Sequence, residues 1–183
     1  MGLIWIAGAT LWGIAEASLF FIVPDVLITF AVMRRGLRQG LMPSAAAAFF
    51  AAITGYGMWL WASHDASAAR HVMLLVPAIG PDLLARAHEE IAVGWPIHLV
   101  TGAMTGVPYK LYAVEAGARG IDPLLFIPMS FAARLARFAL TAILTAIGRE
   151  ILVRLHWSQW RYAAWAVVWI AVYGFYFTTR AMA

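Results

Sequence analysis

The stretch EASLFFIVPD, residues 16–25, decides the fold of this chain because it places two carboxylates and a proline inside an apolar run over residues 2–33. An ionised carboxylate in hydrocarbon costs roughly 2.5 to 3.5 kcal/mol even on insertion scales, so Glu16 and Asp25 are expected to face a partner or a wet cavity. Pro24 removes a helical hydrogen bond and disfavours helical geometry at the preceding residue. Freed backbone groups cannot face lipid, so the run predicts a buried, broken, re-entrant helix. The alternative is a kinked span whose acids are only structural ion-pair partners.

The composition predicts an integral membrane protein. The 183 residues are 63% hydrophobic and have a mean hydropathy of +0.80, and only 12% are charged, against roughly 25% in soluble domains. One helical domain of four to six apolar segments fits this length, since each span needs about 20 residues. The absence of cysteine excludes disulfides and thiolate metal sites. We expect no cleaved signal peptide, because no Lys or Arg precedes the first apolar run and Glu16 interrupts it.

The first half of the chain, about residues 1–71, continues with a basic loop and a span. Arg34, Arg35 and Arg38 form the densest basic cluster, and such a short loop is expected in the cytoplasm rather than on nucleic acid. Residues 43–63 predict a span rich in Ala and Gly, whose small side chains allow close helix packing. A mixed-charge loop is expected over residues 64–71.

An amphipathic connection, about residues 72–93, leads to the second half, about residues 94–183. From Pro81 to Val93, apolar positions alternate with charged ones at helical spacing, which predicts a helix lying in the membrane interface. His88, Glu89 and Glu90 are adjacent on this helix and point apart, so we expect a solvated face rather than a metal site.

Residues 95–118 form a second interrupted apolar segment, in which Gly106 and Pro108 break the helical pattern and Lys110 and Glu115 follow the break. Residues 123–148 then predict a span with two arginines, Arg134 and Arg137, on one helical face. Two arginines facing lipid would be costly, so both are expected to point into the bundle. Residues 162–179 predict a last span, rich in Trp and Tyr.

The order of segments predicts the topology. If the basic loops at 34–38 and 149–161 are both cytoplasmic, the segment around TGVPYK must enter and leave on one face. Two opposed re-entrant hairpins, each followed by a span, make an inverted repeat, which points to a transporter with its site at the membrane midplane. The predicted fold is therefore one all-α membrane domain over residues 1–183.

This order of features resembles the DedA superfamily of membrane proteins, also called the VTT-domain family, and most of all its small YqaA-like branch. The resemblance covers roughly residues 10–150. The longer arginine motif of typical members is not intact, because no proline stands between the two arginines. The residues that carry the resemblance are the stretch from Glu16 to Asp25, Gly55 and Tyr56, the run GVPYK at Gly106 to Lys110, Gly117, Arg134, Arg137 and Phe138.

The resemblance implies translocation of phospholipids or polyprenyl-phosphate carriers across the bacterial inner membrane by a multi-pass protein, with protons as the coupling ion. The buried candidates comprise three acids and three bases: Glu16, Asp25 and Glu115 for proton coupling, and Lys110, Arg134 and Arg137 for the substrate. We expect the acids and a lipid phosphate to compete for the cations, since guanidinium binds phosphate oxygens bidentately. No catalytic residue, metal or cofactor is expected, and a homo-oligomer is compatible with this reading.

Three other functions fit the sequence less well. A proton-coupled carrier of a small solute would use the same broken helices. A structural or assembly protein would use the charges as folding pairs. A membrane enzyme would need a nucleophile, a base and an orienting group together, and the sequence does not place them so.

Overall fold

The computed structural model describes residues 2–20 and 22–181, so Phe21 of the EASLFFIVPD stretch and both chain ends lie outside the described residues. Within that part of the chain the secondary structure is helical, with no strand. A short 3-10 helix, Ser158–Trp160, precedes the last α-helix. The α-helices are α1 Gly2–Ser18, α2 Asp25–Arg35, α3 Leu37–His64, α4 Ala66–Met73, α5 Pro81–Thr105, α6 Tyr109–Ala118, α7 Pro123–Arg154 and α8 Arg161–Ala181.

Two of the described helices, α3 and α7, are long and apolar enough to cross a membrane. They contain 28 and 32 residues, or about 42 and 48 Å at 1.5 Å per residue. Both are longer than their predicted spans. Helix α7 begins at Pro123, where proline suits the first helical position, and it continues through Pro128.

The predicted loop over residues 64–71 is wrong, because most of it forms α4. Asp65 precedes this helix, and its side chain accepts a hydrogen bond of 2.9 Å from the backbone N–H of Ala68. This is an N-cap, which satisfies one of the unpaired amides of the first helical turn.

Helices α1 and α2 form an antiparallel hairpin, and the predicted break beside Pro24 is confirmed. The ring of Trp5, early in α1, lies 5.9 Å from the ring of Phe30, late in α2. Near the tip, Nε1 of Trp12 donates a hydrogen bond of 2.8 Å to the carbonyl of Ile22. The two carboxylates of the decisive stretch therefore lie at the tip of a hairpin.

Helices α5 and α6 form a second antiparallel hairpin, whose predicted break at Gly106 and Pro108 is also confirmed. Gly106 ends α5 with φ +84°, in the left-handed region that favours glycine. Pro108 is extended and directly precedes α6. Gly102 contacts the ring of Tyr112 across the hairpin, so a side chain at residue 102 would collide with that ring.

The open ends of the two hairpins lie at opposite ends of α3. A single residue, Gly36, separates the end of α2 from the start of α3. The chain after α6 contacts the far end of α3, where Nε1 of Trp59 donates a 3.0 Å hydrogen bond to the carbonyl of Ile121. The tips of the hairpins consequently meet near the middle of the molecule. Helix α7 packs against α2 and α3 and runs the full length of this arrangement.

The amphipathic pattern of residues 81–93 is a helix, the first part of α5, but its apolar face does not lie on a membrane surface. Leu83, Ala87 and Ile91 are buried and pack in one core with Met73 of α4 and Leu111 of α6. Neighbouring helices cover these side chains, and the location of this helix in the membrane interface stays a prediction. Beyond this part the helix is distorted at Gly94.

Candidate functional site

Two ion pairs join the tip of the first hairpin to the middle of α7. Arg134 donates a hydrogen bond to Glu16, and both side chains are buried. Nη2 of Arg137 lies 2.8 Å from Oδ2 of Asp25, whose side chain is only 2% exposed, against 28% for Arg137. The prediction that both arginines point into the bundle is confirmed.

The local sequence explains why these four groups meet. Glu16 stands in the last turn of α1, and Asp25 is the first residue of α2, where the positive end of the helix dipole favours a carboxylate. The three-residue spacing of Arg134 and Arg137 places both guanidinium groups on one face of α7. The hairpin tip carries one acid on each helix, and each acid therefore meets one arginine of α7.

Lys110 connects the two breaks. It is the second residue of α6 and is 2% exposed, and its Nζ donates a 2.6 Å hydrogen bond to the carbonyl of Phe20, in the segment that links α1 to α2. Carbonyls beyond the end of a helix lack intrahelical partners, so this one is available to an ammonium group. The bond fastens the tip of the second hairpin to the tip of the first.

Aromatic rings cover the inner arginine. The guanidinium carbon of Arg134 lies 4.5 Å from the ring centre of Tyr109 and 5.2 Å from that of Phe138. A cation over an aromatic face gains roughly 0.5 to 2 kcal/mol, more where water is excluded. The two rings therefore stabilise the guanidinium group of Arg134 in its buried position.

These charged groups line one side of a cavity of about 760 Å³. Its other walls come from the second half of α7, from α8, and from parts of α2, of α5 and of the segment before α5. The side chains of these walls are mostly apolar or aromatic. Leu144 and Ile151 of α7 and Val168 and Val172 of α8 line the cavity although each is 47% to 59% exposed. The cavity therefore opens sideways, between α7 and α8, through an apolar mouth.

Helix α8 is held over the cavity by hydrogen bonds to the first hairpin. Nε1 of Trp165 and Nε1 of Trp169 each donate a 2.9 Å hydrogen bond to Oγ1 of Thr29 in α2. The hydroxyl of Tyr173 accepts a 2.9 Å hydrogen bond from the backbone N–H of Val23, in the break. Three aromatic residues of the predicted last span thus attach α8 to the first hairpin.

Glu115 does not belong to this charged set, and its predicted position is wrong. It follows Lys110 by five residues of α6, which turns its side chain well away from the cavity and moves it about 7.5 Å along the helix. There Arg70 of α4 donates to both of its oxygens, at 2.7 and 2.8 Å. This hydrogen bonding raises the pKa of Arg70, and the pair joins α4 to α6.

Two residues of the predicted solvated face, His88 and Glu90, make side-chain contacts with other residues. Nδ1 of His88 lies 2.8 Å from Glu115, while Arg119 lies 2.9 Å from Nε2 of the same ring. Arginine has only donors, so Nε2 is the acceptor and the proton is on Nδ1. Glu90 accepts hydrogen bonds from Tyr112, which lines the cavity, and from Arg86.

The structure thus brings together five of the six predicted charged residues, namely Glu16, Asp25, Lys110, Arg134 and Arg137, and separates Glu115 from them. The N-cap signal at Asp65, followed by a helix-compatible run, could have placed Arg70 on a helix. No family model, curated protein or solved structure matches this chain.

Proposed function

We propose that this chain is a multi-pass protein of the bacterial inner membrane that moves a lipid with a phosphate headgroup, a phospholipid or a polyprenyl phosphate, across the bilayer. This is the function that the resemblance to the DedA superfamily implies. The observation that carries the proposal is a cavity with buried cations at its inner end and an exposed apolar mouth along its side. A headgroup and its hydrocarbon chain need these two environments together.

The charges of the inner end favour an anion. Lys110, Arg134 and Arg137 are opposed by the carboxylates of Glu16 and Asp25, so three cations face two acids. A phosphate monoanion would neutralise the remaining positive charge. Arginine provides a planar, bidentate donor that fits phosphate oxygens.

The side opening favours a lipid over a water-soluble solute. A pocket for a small solute buries most of the surface of its ligand. In this cavity, Leu144, Ile151, Val168 and Val172 line the wall and are also exposed on the outer surface. A hydrocarbon chain can remain in the bilayer between α7 and α8 while its headgroup reaches the arginines.

Proton coupling follows from competition for the same cations. Protonation of Glu16 or Asp25 weakens its hold on Arg134 or Arg137, and the freed guanidinium then binds the headgroup. Deprotonation restores the ion pair and expels the phosphate. Oδ1 of Asp25 is buried and has no hydrogen-bond partner, so this carboxyl carries an oxygen at which a proton can be added without breaking another contact.

In this proposal the hairpins are re-entrant from opposite leaflets and form an inverted repeat, α1–α2–α3 and α5–α6–α7. Hairpins that begin at opposite ends of α3 and meet at their tips support it. Transporters with such repeats bind substrate where the broken helices meet. Alternating access would then come from the movement of one hairpin relative to the other.

The test is transbilayer movement of a labelled phosphatidylglycerol in liposomes that contain the purified protein. We expect Arg137→Ala to slow this movement at least tenfold, since one charge-assisted contact is worth about 1.5 to 3 kcal/mol. We expect Glu16→Gln to slow it as well, because a neutral side chain cannot re-form the ion pair that expels the phosphate. Arg154→Ala is the matched control, because Arg154 is exposed and pairs only with exposed Glu150 in the same helix. Unchanged movement in both site variants would refute the proposal. Movement of a water-soluble phosphate ester, but not of the lipid, would assign the cavity to a small-solute carrier.

A further inference from the structure

Helix α8 contributes aromatic side chains to the wall of the cavity, and one of them reaches the break of the first hairpin. Trp165, Trp169 and Tyr173 all line the cavity. Tyr173 stands one turn beyond Trp169 in α8, and its hydroxyl accepts the 2.9 Å hydrogen bond from the backbone N–H of Val23. The tyrosine oxygen is therefore fixed beside the segment that connects α1 to α2.

This position brings the hydroxyl close to the ion pair of Asp25 and Arg137. Val23 precedes Asp25 by two residues, and the side chain of Tyr173 interacts electrostatically with both members of the pair. All four residues line the cavity. The hydrogen bond between Val23 and Tyr173 is only partly buried, and the Arg137 side chain is also partly exposed. A headgroup in the cavity therefore has access both to the guanidinium group and to the hydroxyl.

The hydroxyl of Tyr173 still has a proton to donate. A phenolic hydroxyl has one donor and also accepts hydrogen bonds through its lone pairs. The N–H of Val23 occupies a lone pair, and none of the residues that the structure describes accepts the hydroxyl proton. The indole N–H groups of Trp165 and Trp169, in contrast, already donate to Thr29. Of these three side chains of α8, Tyr173 is therefore the one whose donor is available to a ligand.

We propose that Tyr173 is a headgroup-binding residue, which donates a hydrogen bond from its hydroxyl to the lipid phosphate held by Arg137. The inference rests on the proposed function and deepens it, because it takes the same headgroup as the ligand. When protonation of Asp25 releases Arg137, a phosphate oxygen takes the place of the carboxylate and accepts hydrogen bonds from both side chains. Phosphate is an ionised acceptor, and hydrogen bonds to ionised groups are roughly twice as strong as neutral ones.

This contact gives α8 a part in substrate recognition. Arg137 belongs to α7 and Tyr173 to α8, and these two helices form the mouth of the cavity. A phosphate bound to both side chains therefore bridges the two walls of the mouth at its inner end. The hydrocarbon chain carries no acceptor, so this contact depends on the phosphate alone.

The experiment compares two lipids that differ in the phosphate headgroup. Purified protein in detergent is titrated with phosphatidylglycerol or with a diacylglycerol of the same acyl chains, and bound lipid is counted by native mass spectrometry. The quantity of interest is the preference, which is the affinity for phosphatidylglycerol divided by that for diacylglycerol. We expect Tyr173→Phe to reduce the preference about tenfold, since one hydrogen bond to a charged group is lost.

Two further variants serve as controls. Tyr162→Phe removes a hydroxyl from the same helix, and Tyr162 is not among the described residues that line the cavity; we expect it to leave the preference unchanged. Tyr173→Phe also removes the acceptor of the Val23 N–H, so attachment has to be separated from binding. Thr29→Val loosens α8 by removing the acceptor of two indole N–H groups and keeps the Tyr173 hydroxyl. We expect it to change both affinities by the same factor, which leaves the preference unchanged.

Several results would overturn the inference. An unchanged preference in Tyr173→Phe would mean that the hydroxyl only attaches α8. An equal loss of preference in Thr29→Val would mean that the position of α8 sets the preference, and displacement of phosphatidylglycerol by an equal concentration of inorganic phosphate would assign the hydroxyl to free phosphate. If the three variants behave as expected but wild-type liposomes show no transbilayer movement, the proposed function fails and the binding role of Tyr173 stands.

Discussion

Neutralising Glu16 is expected to destabilise the protein far more than neutralising an exposed acid. The Glu16→Gln variant leaves Arg134 buried without a counter-charge, because both side chains of this pair are almost fully buried. Breaking a buried ion pair by removing one partner costs about 3 to 5 kcal/mol. The rings of Tyr109 and Phe138 still cover the guanidinium, so we expect the lower value, about 3 kcal/mol.

The matched control is Glu150→Gln. Glu150 also pairs with an arginine of α7, but both side chains are more than half exposed. Exposed pairs contribute about 0.2 to 1 kcal/mol. A second comparison is the double variant Glu16→Leu with Arg134→Met, which removes both charges. Because replacing a buried pair by apolar side chains is often neutral, we expect this double variant to recover most of the lost stability.

The assay is the free energy of unfolding in mixed micelles, followed by circular dichroism during a titration with sodium dodecyl sulfate. The difference between the two single variants is the quantity of interest, because both remove one carboxylate and keep the shape of the side chain. A Glu16→Gln cost no larger than that of Glu150→Gln would refute the reasoning. It would mean that Arg134 finds another partner or reaches water.

Three further predictions concern packing, pH and the attachment of α8. Gly117→Ala should lower the midpoint temperature of thermal unfolding, since the added Cβ would collide with a backbone carbonyl of α3 at a cost of about 1 to 3 kcal/mol. Gly57→Ala, which has open space around it, should leave the midpoint unchanged. Equal midpoints for the two variants would contradict this prediction. Burial raises the pKa of Glu90, but hydrogen bonds from a tyrosine and an arginine outweigh the effect of burial and hold the pKa below 4.5. The stability that Glu90 contributes is therefore present above pH 4.5 and is lost as the pH falls through the lowered pKa. In thermal melts at a series of pH values, Glu90→Gln should reduce the loss of stability at acid pH. Glu89→Gln, which changes an exposed side chain, should leave that loss unchanged. Thr29→Val should speed hydrogen exchange of α8 amides about tenfold, because it removes the acceptor of two indole N–H groups, and unchanged exchange would show that packing alone holds α8.

The breaks of the fold could be predicted from the sequence because proline and glycine act locally. Pro24, Gly106 and Pro108 stand at the ends of helices for reasons that involve only their own backbone and that of their neighbours. The inward direction of Arg134 and Arg137 was equally predictable, from helical spacing and the cost of charge in an apolar environment.

The partners of the charges could not be predicted, because they depend on which helices pack together. Lys110 binds a backbone carbonyl that exists as an acceptor only because the other hairpin is broken. Glu115 pairs with Arg70 because α4 packs on α6, and the sequence pattern had placed Arg70 in a loop. The opening between α7 and α8 likewise results from how the helices pack, and no periodic pattern in the sequence predicts it.

The ion pairs that cross between the two halves constrain how the molecule is made. Glu16 is synthesised 118 residues before Arg134, so the first hairpin leaves the ribosome with two carboxylates that have no cation to neutralise them. The buried contacts of this hairpin tip therefore cannot be completed until α7 has been synthesised. We infer that the tip of the amino-terminal hairpin reaches its final packing late, and that a chain truncated before residue 134 would be degraded rather than accumulate.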